Sequence, residues 1–157
     1  MKKFFFDCGA RDAIASQGLL ILRVMIGLMM LIGHGIPKIQ HYAALKDGFP
    51  VPDFFPLNSM SPPVSLMACI GAEVIASIFI ILGLATRPAA FVLGFNMVVA
   101  VFAVQASAPW FVSPPDVLVA KELGLLYLIP LLALILSGPG VISLDARIYK
   151  NSKRYRW

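Results

Sequence analysis

Three features of the sequence predict an all-α integral membrane protein, a four-transmembrane-helix bundle with both termini cytoplasmic. Hydrophobic residues fill 59% of the 157 positions and charged residues only 13%, about half the charged share of a soluble domain. Mean hydropathy is +0.85. Apolar runs at about 18–37, 63–84, 88–107 and 117–137 each approach the ~20 residues that cross a hydrocarbon core of ~30 Å. Finally, the basic residues divide unevenly. The two tails and the link at Arg87 hold nine Lys and Arg, whereas the opposite side holds Lys38, Lys46 and Lys121. The positive-inside rule turns the richer side, with both termini, toward the cytoplasm. The whole of 1–157 reads as one membrane domain.

Residues 1–17 form a mixed tail in which Lys2, Lys3 and Arg11 sit near Phe4, Phe5 and Phe6, a composition suited to the membrane interface. The first span, 18–37, is too long for a secretory h-region and is interrupted by Arg23, so a cleaved signal peptide is not expected. At 100° per residue, Arg23, Gly27, Met30, His34 and Lys38 fall on one narrow face. A charge near the bilayer centre costs at least ~2.5–3.5 kcal/mol, which turns that face toward protein or water. Gly33, Gly35 and Pro37 loosen the turn around His34.

The loop 39–62 is rich in proline and phenylalanine, with Gly48-Phe49-Pro50-Val51-Pro52 at its centre. Proline forbids regular helix there, and the loop reads as a cap on the outer membrane surface. The second span carries Glu73 near its middle, with Cys69, Ser77 and Ile80 on the same face. A very short link, 83–88, forces an antiparallel hairpin, and Thr86 is a candidate cap for the third span. That span places Asn96 near its middle among Ala89, Ala100, Ala103 and Ser107, with Gln105 on the opposite face. Small residues allow close helix contact in lipid. Trp110 and Phe111 mark an interfacial belt. The fourth span has Asp116 as candidate N-cap, Lys121 and Glu122 in its first turns, and an interior proline, Pro130, that predicts a kink. The tail 141–157 interleaves Arg147, Lys150, Lys153, Arg154 and Arg156 with Tyr149, Tyr155 and Trp157, a mixture suited to an anionic membrane surface.

A rise of 1.5 Å per residue sorts the polar residues by depth. Arg23, Glu73 and Asn96 form a deep set; His34, Lys38 and Glu122 form an outer set. The deep set reads either as an ion pair that fixes helix register or as the wall of a pocket for a polar head group or a proton relay. In the outer set, Lys38 and Lys121 suit interfacial anchoring, His34 is either a satisfied structural histidine or a proton carrier, and Glu122 is either its partner or a solvated first-turn carboxylate. His34 and Glu122 are the candidate catalytic groups. No metal site is expected, since His34 and His41 are separated by a proline and no H-x-x-x-H or E-x-x-H pattern occurs. No haem, flavin, phosphate-loop or dinucleotide motif is present. Cys8 and Cys69 lie near opposite faces, so a disulfide between them is not expected. The basic residues cluster at helix ends and tails rather than on a soluble surface, which argues against a nucleic-acid partner.

The order and spacing of Leu22-Arg23 with Gly27, Gly33-His34-Gly35 with Lys38, Gly48-x-Pro50-x-Pro52, Gly71-Ala72-Glu73, Gly83-Leu84-x-Thr86-Arg87 and Asn96-Met97 are those of a known group. So are Lys121-Glu122-Leu123, Leu126-Tyr127, Gly138-Pro139-Gly140 and Ser143-Leu144-Asp145. Over residues 18–146 the chain resembles the DoxX family of small bacterial inner-membrane proteins. The resemblance implies a four-helix protein of the inner membrane associated with redox metabolism, since the family takes its name from proteins linked to a terminal quinol oxidase and to thiosulfate:quinone oxidoreductase. It departs from the family at Gln105, where many members carry a histidine. The first expectation is a quinone- or quinol-interacting subunit, with Arg23, His34, Lys38, Glu73, Asn96 and Glu122 around the ligand. Quinone is then the expected cofactor and a soluble or membrane redox protein the partner, with self-association in the lipid as a further option. The alternatives are a non-catalytic scaffold that docks a soluble redox or detoxifying enzyme through the basic tails, and a small-solute permease.

Overall fold

The structure, a computed structural model, describes residues 12–112 and 120–148. The expectations placed on Phe4–Phe6, Cys8, Asp116 and the residues from Tyr149 onward lie outside these. Among the described residues every regular element is helical.

Helix α1, Ala13–Gln40, runs 28 residues. It starts five residues earlier than the apolar pattern alone suggests, because Asp12 caps it: the Asp12 carboxylate accepts from the Ala15 amide at 2.8 Å. A capped polar first turn extends a helix beyond its hydrophobic portion. A short helix α2, Tyr42–Leu45, follows, and then a loop whose one regular turn is the 3-10 segment Leu57–Ser59. Helix α3, Pro62–Leu82, opens on proline and closes on Gly83 in the left-handed conformation, φ 68°, a conformation glycine adopts without a Cβ clash. Helix α4, Thr86–Val104, begins immediately afterwards, and α5, Lys121–Ser137, contains Pro130.

Helices α1, α3 and α4 are long and apolar enough to cross a membrane. With α5 they close a ring in which α1 packs on α3, α3 on α4, α4 on α5 and α5 back on α1. The shared core is formed by residues including Met30, Ile80, Leu93, Met97, Leu131 and Leu134. Gly27 sets the α1–α3 separation, since a Cβ there would lie 3.1 Å from the Ser77 carbonyl oxygen. The outer faces are apolar too: Ile21, Ile75, Phe91, Ile129 and Leu136 are each more than half exposed. Surfaces of this kind match lipid rather than water.

The link between α3 and α4 departs from the expected Thr86 cap. Thr86 is the first residue of α4, after Ala85 at φ 44°. The Ala85 and Thr86 amides donate instead to the Asp145 carboxylate, at 2.7 and 3.0 Å. The orphan donors of a helix start need an acceptor from some part of the chain, and here it comes from 60 residues away.

Candidate functional site

The site is built on α3. Cys69 and Glu73 are one turn apart, so their side chains leave the same face. From α1, Lys38 forms an ion pair with Glu73 Oε1 and donates to Cys69 Sγ at 3.3 Å. The Cys69 thiol donates to the same Glu73 oxygen at 3.4 Å. From α4, Asn96 Nδ2 donates to Glu73 Oε1 at 3.4 Å and lies 3.7 Å from Cys69 Sγ. Donors from three helices therefore converge on one carboxylate oxygen. Glu73 is 2% exposed, and its second oxygen, Oε2, is buried with no hydrogen-bond partner in the structure. Leaving a buried acceptor unpaired costs about 1–3 kcal/mol.

This cluster lies on the wall of a cavity of about 390 Å³ between α3 and α4. Ala68 and Ala72 leave the space on the α3 side, Val92, Phe95 and Val99 wall it on the α4 side, and Phe49, Pro50, Pro52 and Leu57 cover it from the loop. Ser65 holds that cover by donating to the Pro50 carbonyl at 2.9 Å. The prolines and aromatics that make the loop unable to form helix thus supply a fixed apolar roof.

A π turn at Leu31–Gly35 brings Lys38 to this place. In the preceding helix Arg23, Ile26, Gly27 and Met30 are buried; the next buried residue is Gly35, not His34. A π turn takes one residue more than an α turn and carries everything beyond it about 100° around the axis. His34 consequently leaves the face that it shares with Arg23 and Met30 in a regular helix. It is exposed and stands edge-on to the Tyr127 ring, with centroids 5.4 Å apart and an interplanar angle of 87°. Gly35 takes the buried position, where a Cβ would meet Val74 Cγ2 at 2.8 Å and the Glu73 backbone at 3.6 Å. The absent side chain lets the end of α1 approach Glu73 closely.

The second π turn, Ala100–Val104 in α4, does the same for Gln105. In an unbroken α-helix Gln105 faces away from Asn96; with the extra residue both line the cavity.

Of the six residues that sequence reasoning assigned to a pocket, Lys38, Glu73 and Asn96 line the cavity and Arg23, His34 and Glu122 do not. Arg23 is 3% exposed and spans to the far end of the bundle, where Nη1 donates to the Pro139 carbonyl at 3.1 Å and Nη2 to the Ile142 carbonyl. Glu122 accepts from the Val112 amide at 3.1 Å. Its neighbour Lys121 donates to the Ala106 carbonyl at 2.8 Å and lies 4.8 Å from the centroid of the Trp110 ring. These two therefore tie the 105–112 turn to the start of α5. Cys69 and Gln105 are the members that sequence reasoning missed. The i, i+4 spacing of Cys69 and Glu73 was the available signal for the first; the π turn hid the second. Among the described residues there is no group of three or more His, Cys, Asp or Glu able to hold a metal ion.

Membrane-crossing helices that bury an ion pair beside an apolar cavity define an integral membrane protein with an intramembrane polar pocket. The family model described as DoxX matches residues 18–106, and the chain belongs to the DoxX family. The match takes in Lys38, Ser65, Cys69, Glu73, Asn96 and Gln105, and so the whole polar lining of the cavity is drawn from the matched region. Two uncharacterized proteins of Haemophilus influenzae are similar to it. One is 31% identical over 133 residues, covering 85% of this chain and 92% of the relative. The other is 29% identical over 154 residues, covering 96% of each. No solved structure matches the chain.

Proposed function

We propose that the protein crosses the bacterial inner membrane four times, with both termini in the cytoplasm, and that its cavity holds the head group of a membrane quinone for a redox partner protein. The observation that carries this reading is the cavity itself: about 390 Å³, lined mainly by apolar side chains, with Lys38, Glu73, Cys69 and Asn96 clustered on its wall. Small-molecule pockets run from about 300 to 1,000 Å³ and combine apolar walls with a few placed polar groups. A quinone has that division, an apolar ring and tail with oxygens at the ring edge. Val92 and Phe95 line the cavity and are 49% and 48% exposed, which supports entry sideways from the lipid. Beside the bound ring, the Glu73 carboxylate is a proton acceptor and the Lys38 ammonium a proton donor. Proton handling in this reading rests with that pair rather than with His34 or Glu122. Electrons are exchanged between the ring and the partner protein, and the Lys38–Glu73 pair passes the accompanying protons one at a time, taken up in reduction of the ring and released in its oxidation.

Mass spectrometry of an organic extract of the gently purified protein, beside its Glu73→Gln variant, tests the reading. The expected result is a quinone at near-equal amount to the protein, depleted at least about tenfold in the variant, as loss of about 1.4 kcal/mol of binding gives. Bulk lipid alone in both extracts overturns it.

A further inference from the structure

We propose that Cys69 is a covalent capture site: its thiol adds to lipid-dissolved electrophiles of the α,β-unsaturated carbonyl class that enter the cavity, with Glu73 as base and Lys38 as counter-ion. The inference goes beyond the quinone reading and stands without it.

Cys69 is a free, part-exposed cysteine on the cavity wall, and beyond its backbone it has only Cβ and the sulfur to present. The sulfur and its two charged partners form a closed triangle. The thiol donates to Glu73 Oε1 at 3.4 Å. The Lys38 ammonium, on a side chain 22% exposed, donates to Cys69 Sγ at 3.3 Å and to the same Glu73 oxygen. A nucleophile within hydrogen-bond reach of a base is the arrangement that activates a thiol. An apolar wall keeps a thiol protonated at rest, so the proton leaves as the sulfur attacks. Here that transfer is charge-compensated. Moving the proton from Sγ to Oε1 moves the negative charge from one partner of the ammonium to the other. No anion is left unpaired in a medium where that is costly. Asn96 Nδ2, 3.7 Å from Sγ, adds a donor dipole from α4.

The chemistry that fits is conjugate addition. The sulfur bonds to the β carbon, and the thiol proton passes to Glu73 Oε1. The electron pair of the C=C bond moves to the carbonyl oxygen as an enolate, whose charge the Lys38 ammonium balances. The proton on Glu73 then returns to the α carbon. Every atom of both reactants stays in the thioether, and nothing is oxidised or reduced. A disulfide needs a second thiol, and among the described residues Cys69 is the one cysteine. The apolar lining at Ala68, Ala72, Val92 and Phe95 selects an electrophile that dissolves in the membrane.

The test uses the full-length Cys8→Ser protein in phospholipid nanodiscs, where Cys69 is the only thiol. Two probes are compared, N-cyclohexylmaleimide and a charged, sulfonated maleimide. Intact mass follows adduct formation and peptide mapping locates it. A reference protein, Cys8→Ser, Cys69→Ala, Ala68→Cys, carries its thiol one residue away on the same cavity wall and keeps Lys38 and Glu73. The expected result is one adduct per chain at Cys69. The cyclohexyl probe forms it at least about tenfold faster than at the reference thiol, as a positioned base gives, and at least about tenfold faster than the sulfonated probe does. Glu73→Gln in the Cys8→Ser background slows it by at least about tenfold. A rate at Cys69 equal to or below that of the reference thiol overturns the proposal, as does equal reaction with the sulfonated probe or an unchanged rate in Glu73→Gln. Each of these leaves the quinone reading standing, because that reading is judged by the organic extract. The reference comparison does not depend on whether Glu73→Gln folds.

Discussion

Lys38 and Glu73 carry opposite charges at the meeting point of α1 and α3, and Asn96 extends the contact to α4. A buried pair of this kind adds little net stability compared with apolar residues of the same size, yet removing one partner strands the other charge. Lys38→Met is accordingly expected to destabilise the protein by about 3–5 kcal/mol. In the Lys38→Met, Glu73→Leu double variant most of that loss returns, so that the double variant is more stable than Lys38→Met alone. Reversible unfolding in detergent micelles measures all the corners of the cycle. Strictly additive losses show that the two side chains do not support each other. Arg23 works at the opposite end of the bundle with backbone carbonyls as partners. Its role is to hold the segment after α5 against α1, and its position deep in an apolar run is explained by that contact.

At the scale of the element, the two π turns decide what faces the cavity. Leu31–Gly35 rotates Lys38 toward Glu73, and Ala100–Val104 rotates Gln105 toward Asn96. A π turn is equivalent to one inserted residue, and deleting that residue converts it to α-helix while both flanking faces keep their directions. Gly33 suits such a deletion, because a Cβ there meets nothing within 4 Å. Its removal is expected to leave the unfolding midpoint nearly unchanged. Removal of Leu28 instead swings Met30, now fully buried, out of the core, at about 2–5 kcal/mol. Thermal unfolding of the two deletion variants in the same detergent compares them. An equal loss for both shows that the π turn does not absorb the extra residue.

On the scale of the whole molecule, α1, α3, α4 and α5 close a ring around small and aliphatic residues and present an apolar outer surface. The proposed four crossings put the basic tails and Arg87 on one side of the membrane. A green fluorescent reporter fused after Trp157 is therefore expected to fluoresce, and alkaline phosphatase fused there to be inactive. Phosphatase inserted in the loop near Lys46 is expected to be active. The reverse pattern overturns the orientation, and phosphatase activity after Trp157 together with activity near Lys46 overturns the even number of crossings. The loop over the cavity then lies on the outer side, and the Asp145 cap and Arg23 contacts on the inner side.

The sequence by itself determined that this is a membrane protein, where its long apolar helices lie, and that charges deep in an apolar run, such as Arg23 and Glu73, turn away from lipid. Those conclusions follow from length, hydropathy and the cost of charge in lipid, all of which are local properties of the chain. The expected span at 63–84 lies within two residues of Pro62–Leu82 for that reason. Only the tertiary structure decided who pairs with whom. Depth alone places Arg23 and Glu73 together, but side-chain direction depends on helical register, and each π turn shifts that register by about 100°. The partners of Arg23 are main-chain carbonyls, and the cap of α4 is a carboxylate 60 residues distant. Neither leaves a pattern in the sequence, because any residue supplies a carbonyl and only the folded chain brings Asp145 to the start of α4.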